Sequence, residues 1–233
     1  MIELLRNAEL YDPVPRGRRD LLVTGETVVW VGTGLPALDS RLGVRETDLG
    51  GRRVIPGLID GHVHLTGGGG EAGPHTRVPA VVLSGLTGGG VTTAIGVLGT
   101  DDVVRTPAEL VTVARGLIEE GLSAWCYTGG YHVPPVTATG SVRSDLVLID
   151  LILGVGEVAV SDHRSSQPTL EELLRIAADA HVGGMMSGKA GIVHLHIGDG
   201  PRGLEPVREA IDRSEIPAGV FNPTHVNRRK ALF

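Results

Sequence analysis

The sequence is short of cysteine, of lysine and of long apolar runs, and each shortage excludes something. Cys126 is the only cysteine among 233 residues, so no disulfide framework can form within the chain, and a reducing, cytoplasmic compartment is expected. Lys189 and Lys230 are the only lysines; the other basic residues are arginines. That scarcity limits the chemistry a metal site can draw on. No apolar stretch approaches the ~20 residues that span a bilayer. Met1-Ile2-Glu3-Leu4-Leu5-Arg6 also lacks the basic-then-apolar order of a signal peptide, and no membrane partner is expected. Positive charge is not in surplus either: the net charge is -6, which argues against nucleic acid as a partner. With 41% hydrophobic and 21% charged residues, nothing suggests disorder. The length suits one large core, or a large domain with a small partner.

What is abundant is glycine, at 35 residues, gathered at strand-helix junctions and in Gly67-Gly68-Gly69-Gly70. Residues 1–53 read as a small β unit, with strands at 3–10, 20–23 and 28–31 separated by Asp12-Pro13, Pro15-Arg16-Gly17 and Thr24-Gly25. Residues 54–233 alternate buried strands with amphipathic helices; the strand candidates are 54–64, 91–99, 123–131, 157–163, 191–197 and 219–225. Helix starts are signalled by Thr106-Pro107-Ala108-Glu109, by Thr169-Leu170-Glu171-Glu172, and by Ser141 before a helix running through Leu146, Ile149 and Leu153. Repeated βα units fit a doubly wound sheet or a (β/α)8 barrel. The polar residues choose between them.

Asp60-Gly61-His62-Val63-His64 ends the first of these strands, and residues two apart on a strand face the same way, so His62 and His64 can converge on one ion. Later strand ends supply Gly99-Thr100-Asp101, Tyr131-His132, Glu157 with Ser161-Asp162-His163-Arg164, His194 and His196 with Asp199, and His225 with Arg228. A parallel barrel gathers such ends on one rim, whereas an open sheet spreads them along a line. Four histidines and a carboxylate on one rim point to a binuclear divalent-metal site, with Zn2+ the expected metal, a bridging hydroxide the nucleophile and hydrolysis the reaction class. His194 lies deeper than His196 and reads as a hydrogen-bonded core residue. His132 and His163 read as orienting neighbours, His75 and His181 as helix-surface residues, and Cys126 as a small buried hydrophobe.

Pro56-Gly57-Leu58-Ile59-Asp60-Gly61-His62-Val63-His64 after a small β unit resembles the amidohydrolase superfamily. Five further blocks narrow the resemblance to its isoaspartyl dipeptidases: Gly67 to Pro74, Leu98 to Asp101, Thr128 to Pro134, Ser161 to Ser165, and Pro223 to Arg228. The resemblance implies an α/β fold, a metal-dependent hydrolase (β/α)8 TIM-type barrel with a small N-terminal β-sandwich subdomain. It implies two metal ions, one held by His62 and His64, the other by His196 and His225. The bridging ligand in the superfamily is often a carbamylated lysine on the fourth strand; here the matching position is Glu157, and neither lysine lies where it can substitute. Glu71 would pair with the α-ammonium of a β-aspartyl dipeptide, and Arg164 and Arg228 would grip carboxylate. Gly69 and Thr100 would add contacts, and Tyr131 would donate to the developing oxyanion. The partner is thus a small zwitterionic dipeptide, and a homo-oligomer is expected at full length.

Six βα units leave two short of a full barrel, and the family's catalytic aspartate belongs after the eighth strand. The chain therefore reads as an N-terminal portion, with Asp162 and Asp199 near the rim only by position. Two other readings keep the fold: a cyclic amidase or N-acyl amino acid deacylase, or a non-catalytic scaffold. The complete histidine set with Glu157 weighs against the scaffold.

Overall fold

The computed structural model describes residues 1–230 and 232, and the chain divides into two compact units, Met1–Gly57 and Leu58–Phe233. In the first, strands β1 (Ile2–Asp12), β2 (Val14–Thr24), β3 (Thr27–Gly32), β4 (Val44–Asp48) and β5 (Arg53–Val54) form one sheet. Its order is β3-β2-β1-β4, with β5 also paired to β1. The hairpins β1-β2 and β2-β3 are antiparallel, whereas β4 and β5 run parallel to β1. Leu4, Ala8 and Leu21 are buried. Arg6 bonds Asp20 at 3.0 Å and Glu46 at 2.8 Å, tying β1 to its neighbours on both sides.

The second unit holds six parallel strands, β6 (Leu58–Val63), β7 (Val91–Gly96), β8 (Ser123–Thr128), β9 (Ile152–Val160), β10 (Ile192–Ile197) and β11 (Phe221–Thr224), ordered as they occur along the chain. Helices α1 (Leu83–Gly88), α2 (Pro107–Glu119), α3 (Val142–Leu148), α4 (Leu170–Ser187) and α5 (Glu205–Asp212) make the crossovers. Each parallel pair needs such a crossover, and sequential right-handed units add strands in one direction only. The helices dock on the sheet by apolar stripes at helical spacing: Leu110, Val111, Ala114 and Leu117 on α2, and Leu173, Ile176, Ala177 and Ala180 on α4. Their starts are capped by side chains. Thr106 accepts from the Glu109 amide, Ser141 from the Ser144 amide, and Thr169 forms a reciprocal capping box with Glu172. No described helix is long and apolar enough to cross a membrane.

Geometry separates barrel from open sheet. His62 belongs to edge strand β6 and His225 follows edge strand β11, five strand spacings away, or about 24 Å across a flat sheet. Their ring centroids are 5.0 Å apart. The sheet therefore curls round so that its two edges face one mouth, as in part of a (β/α)8 barrel.

Several boundaries differ from the pattern reading: Pro15-Arg16-Gly17, a turn by pattern, lies within β2, and the pattern shows no strand at β4. The fourth parallel strand begins at Ile152, not at residue 157, and α3 stops at Leu148 instead of reaching Leu153. Apart from Glu157, residues 151–160 are all apolar or small, and the strand is buried on both faces. Such a run has no period to mark its start. The candidate strand 54–64 also divides: Arg53–Val54 pairs with β1, and Leu58–Val63 with β7.

Candidate metal centre and substrate pocket

Glu157, near the C-terminal end of β9, is the centre of the rim. Its side chain is 1% exposed, and its two oxygens face different histidine pairs. Oε1 lies 3.5 Å from His62 Nε2 and 3.6 Å from His64 Nε2. Oε2 lies 3.1 Å from His196 Nδ1 and 3.4 Å from His225 Nε2. The ligand-capable groups thus form two trios, His62-His64-Glu157 and Glu157-His196-His225, sharing one carboxylate. Zinc with nitrogen and oxygen ligands near 2.0–2.1 Å has tetrahedral ligand-to-ligand edges of about 3.3 Å. The observed separations match that edge. Two buried atoms here, Glu157 Oε1 and His64 Nδ1, lack a hydrogen-bond partner within the protein, which is costly for a dry carboxylate unless a cation satisfies it. The residues therefore fit a pair of divalent cations. Burial opposes charge on Glu157, but the hydrogen bonds from His196 and His225 and the nearby His62 outweigh it and hold the carboxyl well below its usual range.

The histidines are oriented from behind. His62 Nδ1 meets His194 Nε2 at 2.8 Å, which leaves His62 Nε2 directed at Glu157. His194 stacks on Tyr127, with ring centroids 4.8 Å apart, and belongs to neither trio. Burial, with His62 adding to it, pushes the His194 pKa down to about 4, so it stays neutral at pH 7. Gly99, at φ +75°, lets the chain pass beneath His64; a Cβ there would meet the ring at 2.6 Å.

Beside the trios lies a cavity of about 220 Å³ lined by Gly69, Glu71, Thr100, Tyr131, Arg164 and Arg228 together with the four histidines and Glu157. Glu71 Oε1 accepts from Arg164 Nη1 at 2.7 Å and from the Thr100 hydroxyl. The Thr100 bond, then Arg164, hold its carboxyl below the usual value. Arg164 is gripped on its other side by Asp162: Nε donates to Oδ1 at 2.9 Å and Nη2 to Oδ2 at 2.8 Å. Asp162 Oδ2 also lies 2.9 Å from His196 Nε2. A buried carboxylate thus connects one trio to the pocket's arginine. The Tyr131 hydroxyl is 2.7 Å from His196 Nδ1, and the Arg164 guanidinium lies 5.3 Å from the Tyr131 ring centre. Burial, then the Glu157 charge, raises the phenol well above its normal range, so Tyr131 keeps its proton.

Other rim residues stand apart from this cluster. Asp199 is exposed and pairs with Arg228 and Arg229 at 3.8 and 3.3 Å, and His163 is 87% exposed. His132 pairs with buried Asp102. The pattern reading missed how deeply Asp162 sits and gave no role to Arg105, whose guanidinium enters the cavity wall. The sequence pattern assigns Arg164 to a carboxylate and Asp162 to the rim only by position; it draws neither the Asp162-Arg164 pair nor the Asp101-Arg105 pair.

No family model matches the chain. Among solved structures, the whole chain superposes on a β-aspartyl dipeptidase from Fervidobacterium islandicum AW-1 with a TM-score of 0.94 and 49% identity, covering 63% of that chain. The chain resembles β-aspartyl dipeptidase from end to end. A β-aspartyl dipeptidase from the same organism in complex with β-Asp-Leu dipeptide gives a TM-score of 0.92 and 48% identity, again over the whole of this chain and 61% of that one. Among curated proteins, imidazolonepropionase from Streptomyces avermitilis is 30% identical over 115 residues, 48% of this chain and 26% of that protein. The chain therefore spans less than two thirds of these relatives' length. Dihydropyrimidinase from Brevibacillus agri, at 20% identity and a TM-score of 0.55, shares the fold. Superposing over its whole length on the Fervidobacterium β-aspartyl dipeptidase, the chain has a barrel-type parallel sheet, here of six strands, and a separate N-terminal sheet.

Proposed function

We propose that the protein carrying this chain hydrolyses the isopeptide bond of β-aspartyl dipeptides at a two-metal centre. The carrying observation is a carboxylate shared by two histidine pairs, opening into a cavity whose wall holds both an anionic and a cationic receptor. The similarity to β-aspartyl dipeptidase supports the same reading.

His62, His64 and Glu157 would hold one cation, and Glu157, His196 and His225 the other; the mixed imidazole and carboxylate set suits zinc. Divalent cations bound there supply polarisation of the scissile carbonyl and a water acidified to near neutral pH. The chain's own residues do the rest. Glu71, charged and held by Thr100, receives the substrate's α-ammonium. Arg164, fixed by Asp162, and Arg228 receive carboxylate through planar forks. Gly69 shapes the wall beside Glu71. Tyr131 enters the reaction protonated and placed over the centre, so its hydroxyl donates to the oxygen on which negative charge develops. Glu157, in place of a carbamylated lysine, makes assembly independent of carbon dioxide.

The test is hydrolysis by the full-length protein of β-Asp-Leu against α-Asp-Leu, hydantoin and N-acetyl-leucine, with zinc counted by mass spectrometry. Release of aspartate and leucine from the β-linked peptide alone, lost on chelation and restored by zinc, is the expected result. A zinc-loaded protein inert toward β-Asp-Leu overturns the reading. The stretch of similarity to imidazolonepropionase gives cyclic amides a place in the panel, while the Glu71-Arg164 receptor favours a zwitterion.

A further inference from the structure

Arg105 lies in the loop between β7 and α2, one residue before the cap Thr106, and its side chain is only 5% exposed. A guanidinium taken out of water costs several kcal/mol unless its donors are met, and here they are met from two directions. Nε donates to the Thr66 carbonyl at 3.0 Å, and Nη2 to the carbonyls of Gly68 and Val78 at 3.2 and 3.3 Å. Nη1 donates to Asp101 Oδ2 at 2.9 Å. Thr66, Gly68 and Val78 belong to the glycine-rich loop after β6, which carries Gly69 and Glu71. Asp101 belongs to the loop after β7 and directly follows Thr100, whose hydroxyl bonds Glu71. Arg77, from the first loop, reaches the same Asp101 oxygen at 2.8 Å.

We propose that Arg105 is the positioning residue of the ammonium receptor: by tying the two loops together it fixes Glu71 and Thr100 relative to the metal centre. This rests on the proposed role of Glu71. The planar five-donor fork is what the site needs, because a lysine ammonium cannot reach backbone carbonyls on one side and Asp101 on the other at once. None of the four acceptors belongs to the residues of the two trios. Loss of Arg105 should therefore weaken substrate binding through Glu71 and leave the reacting centre intact.

The test uses the zinc-loaded, full-length protein with Arg105→Lys, Arg105→Met and Asp101→Asn. Two constants are read: KM and kcat for β-Asp-Leu, and the inhibition constant of succinyl-leucine, the same molecule without its α-ammonium. Losing a well-placed charge-assisted bond should raise KM by about 10- to 100-fold in Arg105→Lys, with kcat within about threefold of wild type. The succinyl-leucine constant and the zinc content should not move. A parallel loss toward both ligands, or an unchanged KM, overturns the positioning role. Should the Arg105 variants not fold, Asp101→Asn keeps the arginine and loosens one tie; it should shift KM in the same direction by less, and an unchanged ratio of the two constants counts against the role. Wild-type protein that binds zinc and cleaves no β-Asp-Leu is a separate outcome: it overturns the functional reading on which this one rests.

Discussion

Replacing Glu157 by Gln should destabilise the protein much more in zinc than in chelator. The substitution keeps the side chain's shape but removes its charge and turns one oxygen into a donor, so each histidine pair loses a shared anionic partner. Four-ligand structural zinc sites bind with about 10–16 kcal/mol, or about 3 kcal/mol per ligand. One lost ligand therefore weakens each ion by about 100-fold. At free zinc that saturates wild type, a 100-fold weaker site forgoes about 2.7 kcal/mol of stabilisation per ion. Without metal the loss is smaller but keeps its sign: the hydrogen bonds from His196 and His225 and the nearby His62 hold the Glu157 carboxyl below its usual range, so the charge favours the fold and a neutral amide gives that share up. Thermal unfolding in zinc and in EDTA, with metal counted by mass spectrometry, reads both losses. The variant should melt far below wild type in zinc, only modestly below it in EDTA, and carry fewer than two ions. Two retained ions with full activity would remove Glu157 from the metal centre. A variant equally destabilised in both media would make it a packing residue only.

Three further outcomes follow from single side chains. Tyr131→Phe should lower kcat for β-Asp-Leu by about 100-fold, the cost of one oxyanion donor, with zinc content unchanged; steady-state kinetics showing an unaltered kcat would end the donor role. Thr169→Ala removes the capping box of α4 and should cost about 1 kcal/mol in denaturant unfolding, and no loss would mean that the cap is not limiting there. Burial pushes the Cys126 thiol up to about 12, so at pH 8 it remains protonated and should resist a disulfide reagent in the native protein yet react fully in guanidinium. Rapid labelling of the native protein would contradict its burial in β8.

How much of this was legible in the sequence depended on whether the signal was local. His62 and His64 were readable as a pair because alternation on a strand fixes their common direction. The caps at Thr106, Ser141 and Thr169 were readable because a side chain bonds an amide three residues on. The start of β9 was not, since a strand buried on both faces carries no period and Gly154 and Gly156 resemble turn residues. The burial of Arg105 and Asp162 was not either. Only the packing of loops brought from 30 to 40 positions away reveals what they hold, as in Arg105 with Thr66 and Asp162 with His196.

Glu157 joins the two kinds of signal. Its chain position matched a superfamily bridge usually built from a carbamylated lysine, a side chain longer by three bonds. A glutamate could serve only if its strand runs closer to the histidines than a lysine would need, and a glycine stands just before Glu157 on β9. A Cβ on Gly156 would lie 2.4 Å from the His194 carbonyl oxygen, so any larger residue there would push β9 away from β10 and Glu157 away from His196. Substituting Gly156 should therefore act on the proposed metal centre without touching it, whereas a carbamylated lysine at position 157 would put eight side-chain heavy atoms into a space shaped for five. The glutamate and the glycine before it form one structural unit, and the sequence shows them side by side.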